Sequence, residues 1–116
     1  MKIVLEDENL QIKLNTLEKM GAAKGSIVVS YHDIVSVFSE KPSSSTGMKL
    51  AGTNLPGMID LGTYLAGTRK EFWYTRKGKN EFLILVLKSN FYSRLIIETE
   101  DCVKLAQLIT ERLEKI

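Results

Sequence analysis

The chain has 116 residues, 44% of them hydrophobic and 26% charged; this is close to the globular average and fits one domain, residues 1–116, with its own core. That balance excludes a disordered chain, and the longest apolar run, FLILVL at 82–87, falls far short of the roughly 20 residues a membrane-crossing helix needs. The net charge of +2 hides a skew, since residues 1–40 carry −2, residues 41–99 carry +5 and residues 100–116 carry −1, so any attraction for anions belongs to the middle of the chain.

Taken in chain order, alternation of apolar and polar residues dominates, which is the mark of half-buried strands. Ile3 and Leu5, then Leu10, Ile12 and Leu14 beyond the acidic turn Glu6-Asp7-Glu8-Asn9, predict a hairpin. Asn15-Thr16-Leu17-Glu18 has the spacing of a helix N-terminus and predicts one or two helical turns ending near Gly21. Ile27, Val29 and Tyr31 resume the alternation, which shifts at His32-Asp33 to Val35 and Val37 or to Ile34 and Phe38, predicting strand, kink and strand. Residues 40–56 hold Lys41-Pro42, three serines, two glycines and Asn54-Leu55-Pro56, the composition of a long loop.

Residues 58–65 and 69–76 form a second predicted hairpin about Ala66-Gly67-Thr68, and Lys77-Gly78-Lys79-Asn80 turns into the strand at 81–87. That strand is apolar on both faces, which places it centrally or beneath a helix. Residues 91–99 supply the last strand. A helix over 100–115 follows, with Thr99 as N-cap, Glu100 and Asp101 in its first turn, and a stripe of Cys102, Leu105, Ala106, Ile109, Leu113 and Ile116. Strands first and one helix last predict a mainly β (β-rich α+β) fold, an antiparallel sandwich or partly open barrel with a helical lid, and argue against interleaved α/β winding.

Gly25-Ser26-Ile27-Val28-Val29-Ser30-Tyr31-His32-Asp33-Ile34-Val35-Ser36-Val37, with the order of strands ending in one helix, resembles a bacterial pleckstrin-homology-like domain. Leu55-Pro56-Gly57, Gly62-Thr63-Tyr64, Glu71-Phe72-Trp73 and Arg94-Leu95-Ile96-Ile97-Glu98 resemble a set of short bacterial proteins. The resemblance implies a bent sandwich of about seven antiparallel strands with a C-terminal capping helix, and a non-catalytic module that binds peptides, proteins or lipid headgroups. Phosphoinositide-binding members carry Lys and Arg around the first hairpin loop. Here that loop is Glu6-Asp7-Glu8, which would repel inositol phosphates.

Several constellations bear on chemistry. Glycines 47, 52, 57, 62 and 67 recur every fifth residue, yet none precedes the Lys and Ser or Thr of a phosphate loop, so turns and tight backbone approaches are the plainer reading. His32 beside Asp33 could form an acid-base pair, but neighbours on a strand point to opposite faces and no nucleophile stands near, so a turn histidine is expected. Cys102, the single cysteine, could be activated at a helix start, but its place on the apolar stripe predicts a buried packing thiol. One cysteine and one histidine supply no metal set, so no metal and no cofactor is expected, and a reducing, cytoplasmic setting fits both this cysteine usage and an N-terminus without an apolar leader.

The sharpest candidate is Phe72-Trp73-Tyr74 between Arg69-Lys70 and Arg76-Lys77, with Lys79 beyond. Aromatics interleaved with cations stack bases and hold phosphates, giving Arg69, Lys70, Trp73, Arg76, Lys77 and Lys79 as candidate ligand-binding residues. Core packing for the aromatics and a solvated rim for the cations compete with that reading. The sequence therefore leaves two expectations. The first is a non-catalytic module that takes a protein or peptide partner, or a second copy of itself as a homo-oligomer, at a strand edge or beside the helix. The alternative is an anion-binding module for single-stranded nucleic acid or an acidic membrane surface through the basic 69–79 segment.

Overall fold

The structure is a computed structural model and describes residues 1–14, 26–42, 48–55, 59–76 and 81–116. The N-terminal alternation forms β1 (Lys2–Leu5) and β2 (Asn9–Lys13), joined by the acidic turn that Glu6 N–H closes on the Asn9 carbonyl at 2.9 Å. β3 (Ile27–Ser30) pairs with β2, placing Leu10, Ile12, Ile27 and Val29 on the buried face of a three-stranded antiparallel sheet. The predicted kink is a single 3-10 turn, Tyr31–Asp33, started by the Ser30 hydroxyl, which accepts from His32 N–H.

β4 (Ile34–Phe38) then enters a second sheet of six strands, with β5 (Met48–Leu55), β6 (Ile59–Ala66), β7 (Arg69–Arg76), β8 (Phe82–Leu87) and β9 (Arg94–Glu98) in the order β4-β8-β9-β7-β6-β5. The β4 alternation fits neither expected register alone, because a bulge between Ile34 and Ser36 turns both Ile34 and Val37 toward the core and leaves Val35 57% exposed. Gly67, at φ +67°, makes the tight β6–β7 turn that a side-chain-bearing residue would strain.

Two expectations are corrected. Within the loop predicted over 40–56, Met48–Leu55 is a strand that pairs with β6, Gly52 opposite Gly62, so the glycine echo is two arms of one hairpin. The described strands number nine, and they are not all antiparallel, since β9 runs parallel to β7. The large sheet is open, with β4 and β5 at its two ends among the described residues. The short helix predicted after Asn15 lies outside the described residues.

The two sheets pack face to face. Phe72 and Tyr74 of β7, Leu83, Leu85 and Leu87 of β8, and Leu95 and Ile97 of β9 meet the β2–β3 face in one buried cluster. Each such side chain contributes about 1.5–3 kcal/mol by leaving water. β8 is buried on both faces, as its continuous apolar run predicted: Ile84 lies on the outer face with Trp73 and Ile96 in a second cluster.

Helix α1 (Cys102–Glu114) closes the open corner, contacting β4, β8 and the Tyr31–Asp33 turn. Its stripe holds at Cys102 and Ile109, fully buried, with Leu105, Ala106 and Leu113 partly so, while Ile116 lies past the helix and is exposed. The helix starts later than Thr99 predicts. Thr99 N–H still donates to the Glu81 carbonyl at 3.0 Å, extending the β8–β9 ladder, and the Asp101 carbonyl accepts from Leu105 N–H at 2.9 Å at the helix start. Asp101 is the N-cap instead, in the left-handed conformation at φ 56°, ψ 36°, with no side-chain capping bond.

Asp101 therefore matters for its backbone conformation. Asp101→Gly is expected to be near neutral, whereas Asp101→Val, with a branched Cβ at positive φ, is expected to destabilise by about 1–2 kcal/mol in urea unfolding.

Candidate functional site

Of the six residues singled out from sequence, three have described side chains: Arg69, Lys70 and Trp73. Arg69 and Arg76 begin and end β7, roughly 23 Å apart at about 3.3 Å per residue. Lys77 and Lys79 lie outside the described residues, as does the side chain of Arg76. Lys70 is half-buried, its ammonium 4.3 Å from the centroid of the Phe91 ring. Trp73 is packed and not presented: it is 7% exposed, edge-on to Tyr64 with centroids 6.1 Å apart. Its indole Nε1–H donates to Glu71 Oε1 at 3.1 Å.

That bond leads to a cluster the sequence did not single out. Because β9 lies parallel to β7, Arg94 is directly opposite Glu71 on the outer face of the large sheet. Arg94 Nε–H donates to Glu71 Oε2 at 2.6 Å, so the buried carboxylate takes the indole on one oxygen and the guanidinium on the other. Arg94 itself keeps about a third of its side-chain surface in water. Both residues line an open cleft of about 740 Å3 with Arg69, Ser93, Val86 and Leu87. Ser93 is fixed there, its N–H donating to the Lys70 carbonyl at 2.7 Å and its hydroxyl to the same oxygen at 3.2 Å.

A second region of interest is the corner between the sheets. β3 is an edge strand of the small sheet and β4 an edge strand of the large one, and residues 27–38 run continuously from one to the other. Val28, Val35 and Phe38 on this segment are 53%, 57% and 42% exposed, and Val103 in the first turn of α1 is 70% exposed. A shallow pocket of about 170 Å3 lies where β4 ends beside the helix start, lined in part by Ser39, Phe82, Cys102 and Val103.

The residues considered for catalysis border this corner. His32 is exposed in the 3-10 turn, and Asp33 is engaged through its backbone carbonyl, which accepts from Lys88 N–H at 2.8 Å. Cys102 is buried at the base of α1, its thiol donating to the Thr99 carbonyl at 3.1 Å. Burial pushes this thiol above its ordinary range, the Thr99 bond opposing the shift only in part. Among the described residues no three His, Cys, Asp or Glu side chains converge on a metal position, and no helix is long and apolar enough to cross a membrane.

At the other end of the molecule Tyr31 and Arg112 both bond the Glu6 carbonyl, at 2.7 and 3.1 Å, tying the C-terminal end of α1 to the acidic hairpin turn. Burial raises the Tyr31 phenol, with the nearby Arg112 charge acting the other way, and burial likewise raises Tyr92, whose hydroxyl shares a 3.1 Å bond with Thr63.

No protein-family model, curated protein or solved structure matches the chain.

Two measurements check this geometry. Removing Arg94 leaves the buried carboxylate facing the open cleft, whereas removing Glu71 leaves a cation that can turn to water, so Arg94→Ala is expected to cost about 2–3 kcal/mol and Glu71→Ala about 1–2 kcal/mol in denaturant unfolding. The thiol and the two phenols are raised in the folded state, so between their unfolded and folded pKa values the folded chain holds more protons than the unfolded one. Their stabilising contribution is therefore complete at neutral pH and falls as pH rises above about 9, first through Cys102 and then, above about 10, through the tyrosines. Thermal melts across that window are expected to show the decline, and Cys102 is expected to resist thiol reagents until the chain unfolds.

Proposed function

We propose that this chain is a non-catalytic binding module of the pleckstrin-homology-like kind, which takes an extended segment of a protein partner, or of a second copy of itself, along residues 27–38. One observation carries the reading: among the described residues a single stretch of chain supplies an edge strand to both sheets and exposes Val28, Val35 and Phe38 along it. An edge strand offers unpaired backbone donors and acceptors, and a segment laid beside it gains main-chain hydrogen bonds while its side chains are sorted by neighbouring surface. α1 supplies that surface through Val103 and the pocket at its N-terminal end.

The β4 bulge at Val35 shortens the regular ladder on that strand, which favours a short partner segment over an open-ended stack. The parallel β7–β9 pair departs from the all-antiparallel arrangement the resemblance implies. For that reason the reading rests on the edge and its side chains, with the fold as background. The reading through Trp73 and the basic 69–79 segment has less support, since the indole is packed and hydrogen-bonded and the basic residues sit at opposite ends of β7.

Selection from a library of random short peptides, followed by amide NMR titration, tests this. Peptides with alternating apolar residues are expected to be enriched and to shift the amides of residues 27–38. Val35→Asp combined with Phe38→Asp is expected to weaken them by about tenfold or more, or to abolish a dimer seen by light scattering. A strictly monomeric chain that enriches no peptide, or peptides whose shifts map away from 27–38, would overturn the proposal.

A further inference from the structure

We infer that the cleft at the β7–β9 end of the large sheet is a binding site for a small organic monocarboxylate, with the terminal nitrogens of Arg94 as its receptor. This site is separate from the strand edge and stands or falls independently of it.

The argument begins with how Arg94 is held. Arginine and a carboxylate frequently pair as a fork, with two parallel N–H···O bonds. Here Glu71 receives only Nε, at 2.6 Å, through one oxygen, while its other oxygen is occupied by the Trp73 indole. The carboxylate is buried and held between two strands, so it fixes the plane of the guanidinium. The two terminal nitrogens make no hydrogen bond among the described residues, and Arg94 lines the cleft. An arginine anchored through Nε and offering its Nη pair to open space is preorganised for an oxyanion, since its rotamer is already paid for by the fold.

The charge of the cleft selects the class of anion. Its charged lining side chains are Arg69, Arg94 and Glu71, which leaves one net positive charge after the Glu71 pair. A monoanion neutralises that, whereas a dianionic phosphate would meet the Glu71 carboxylate with charge to spare. A planar carboxylate also matches the guanidinium fork. Val86, opposite Arg94 on the outer face, gives the cleft an apolar side for the rest of the ligand, and its volume of about 740 Å3 falls within the roughly 300–1,000 Å3 of small-molecule sites. The fixed Ser93 shapes the rim beside Arg94.

Trp73 makes the test direct, because it is the single tryptophan of the chain and is bonded to the carboxylate that holds Arg94. Hexanoate, hexyl phosphate, hexylamine and hexanol are titrated into the whole chain at low salt, read by tryptophan fluorescence and by the Nε–H NMR signals of Arg69 and Arg94. Hexanoate is expected to saturate and shift the Arg94 signal, hexyl phosphate to bind more weakly, and hexylamine and hexanol not to saturate. Arg94→Lys keeps the charge but loses the fork, and is expected to weaken hexanoate about tenfold. Arg69→Ala leaves the Glu71 pair intact and decides the matter if the Arg94 variant fails to fold; it is expected to weaken binding severalfold. A short apolar peptide with a free or an amidated C-terminus shows whether the carboxylate can come from a polypeptide. The proposal is overturned if hexanoate gives no saturable change, if hexylamine or hexyl phosphate binds as well or better, or if hexanoate binding survives Arg69→Ala undiminished.

Discussion

The insertion of β9 between β7 and β8 is the constraint on which the rest of this molecule depends. Parallel neighbours need a connection that leaves the sheet edge and returns, and here β8 itself is part of that connection. The chain leaves β7, steps past the place β9 will occupy, runs back as β8 and folds over to fill the gap. β9 is then hydrogen-bonded on both sides, and its side chains serve two clusters: Leu95 and Ile97 point to the core between the sheets and Ile96 to the outer one. Without β9, β7 and β8 would lose their common neighbour, and the outer cluster of Trp73, Ile84 and Ile96 would lose its middle member.

Magnitudes separate what holds the fold from what decorates it. The residues of β7, β8 and β9 between the sheets are almost all inaccessible, and truncating any one costs several kcal/mol through lost burial and the cavity left behind. The Arg112–Asp7 approach, by contrast, is 3.9 Å between an exposed carboxylate and a partly exposed guanidinium, and such pairs contribute little. The Glu71–Arg94 pair lies between these cases. Its acid is buried and its base is not, so its role is to orient more than to stabilise.

The two regions argued to bind ligands follow from the same topology. Placing β9 in the interior of the large sheet leaves β4 near the corner as an edge strand, continuous with the edge strand of the small sheet. It also brings the start of β9 alongside the start of β7, which creates the cleft and puts Arg94 within reach of Glu71.

Much of this was legible in the residues. The hairpin at Ile3–Leu14, the kink at His32, the β6–β7 turn at Gly67, the two-faced β8 and the stripe of α1 all follow from local periodicity and turn chemistry, which neighbours in sequence settle among themselves. The strand at Met48–Leu55 was hidden because its glycine and polar content reads as loop, and only pairing with β6 makes it extended. The start of α1 was misplaced because strand pairing with β8 continues through Thr99, which moves the first helical bond to the Asp101 carbonyl. Glu71 and Arg94, 23 residues apart, carry no local sign of each other. Sequence by itself determined a β-rich chain ending in one amphipathic helix, because apolar spacing alone sets which face of each element must be buried. Only the tertiary structure decided that β9 lies parallel to β7, and hence that one acid and one base meet, because strand order is fixed by long-range pairing that no local pattern encodes.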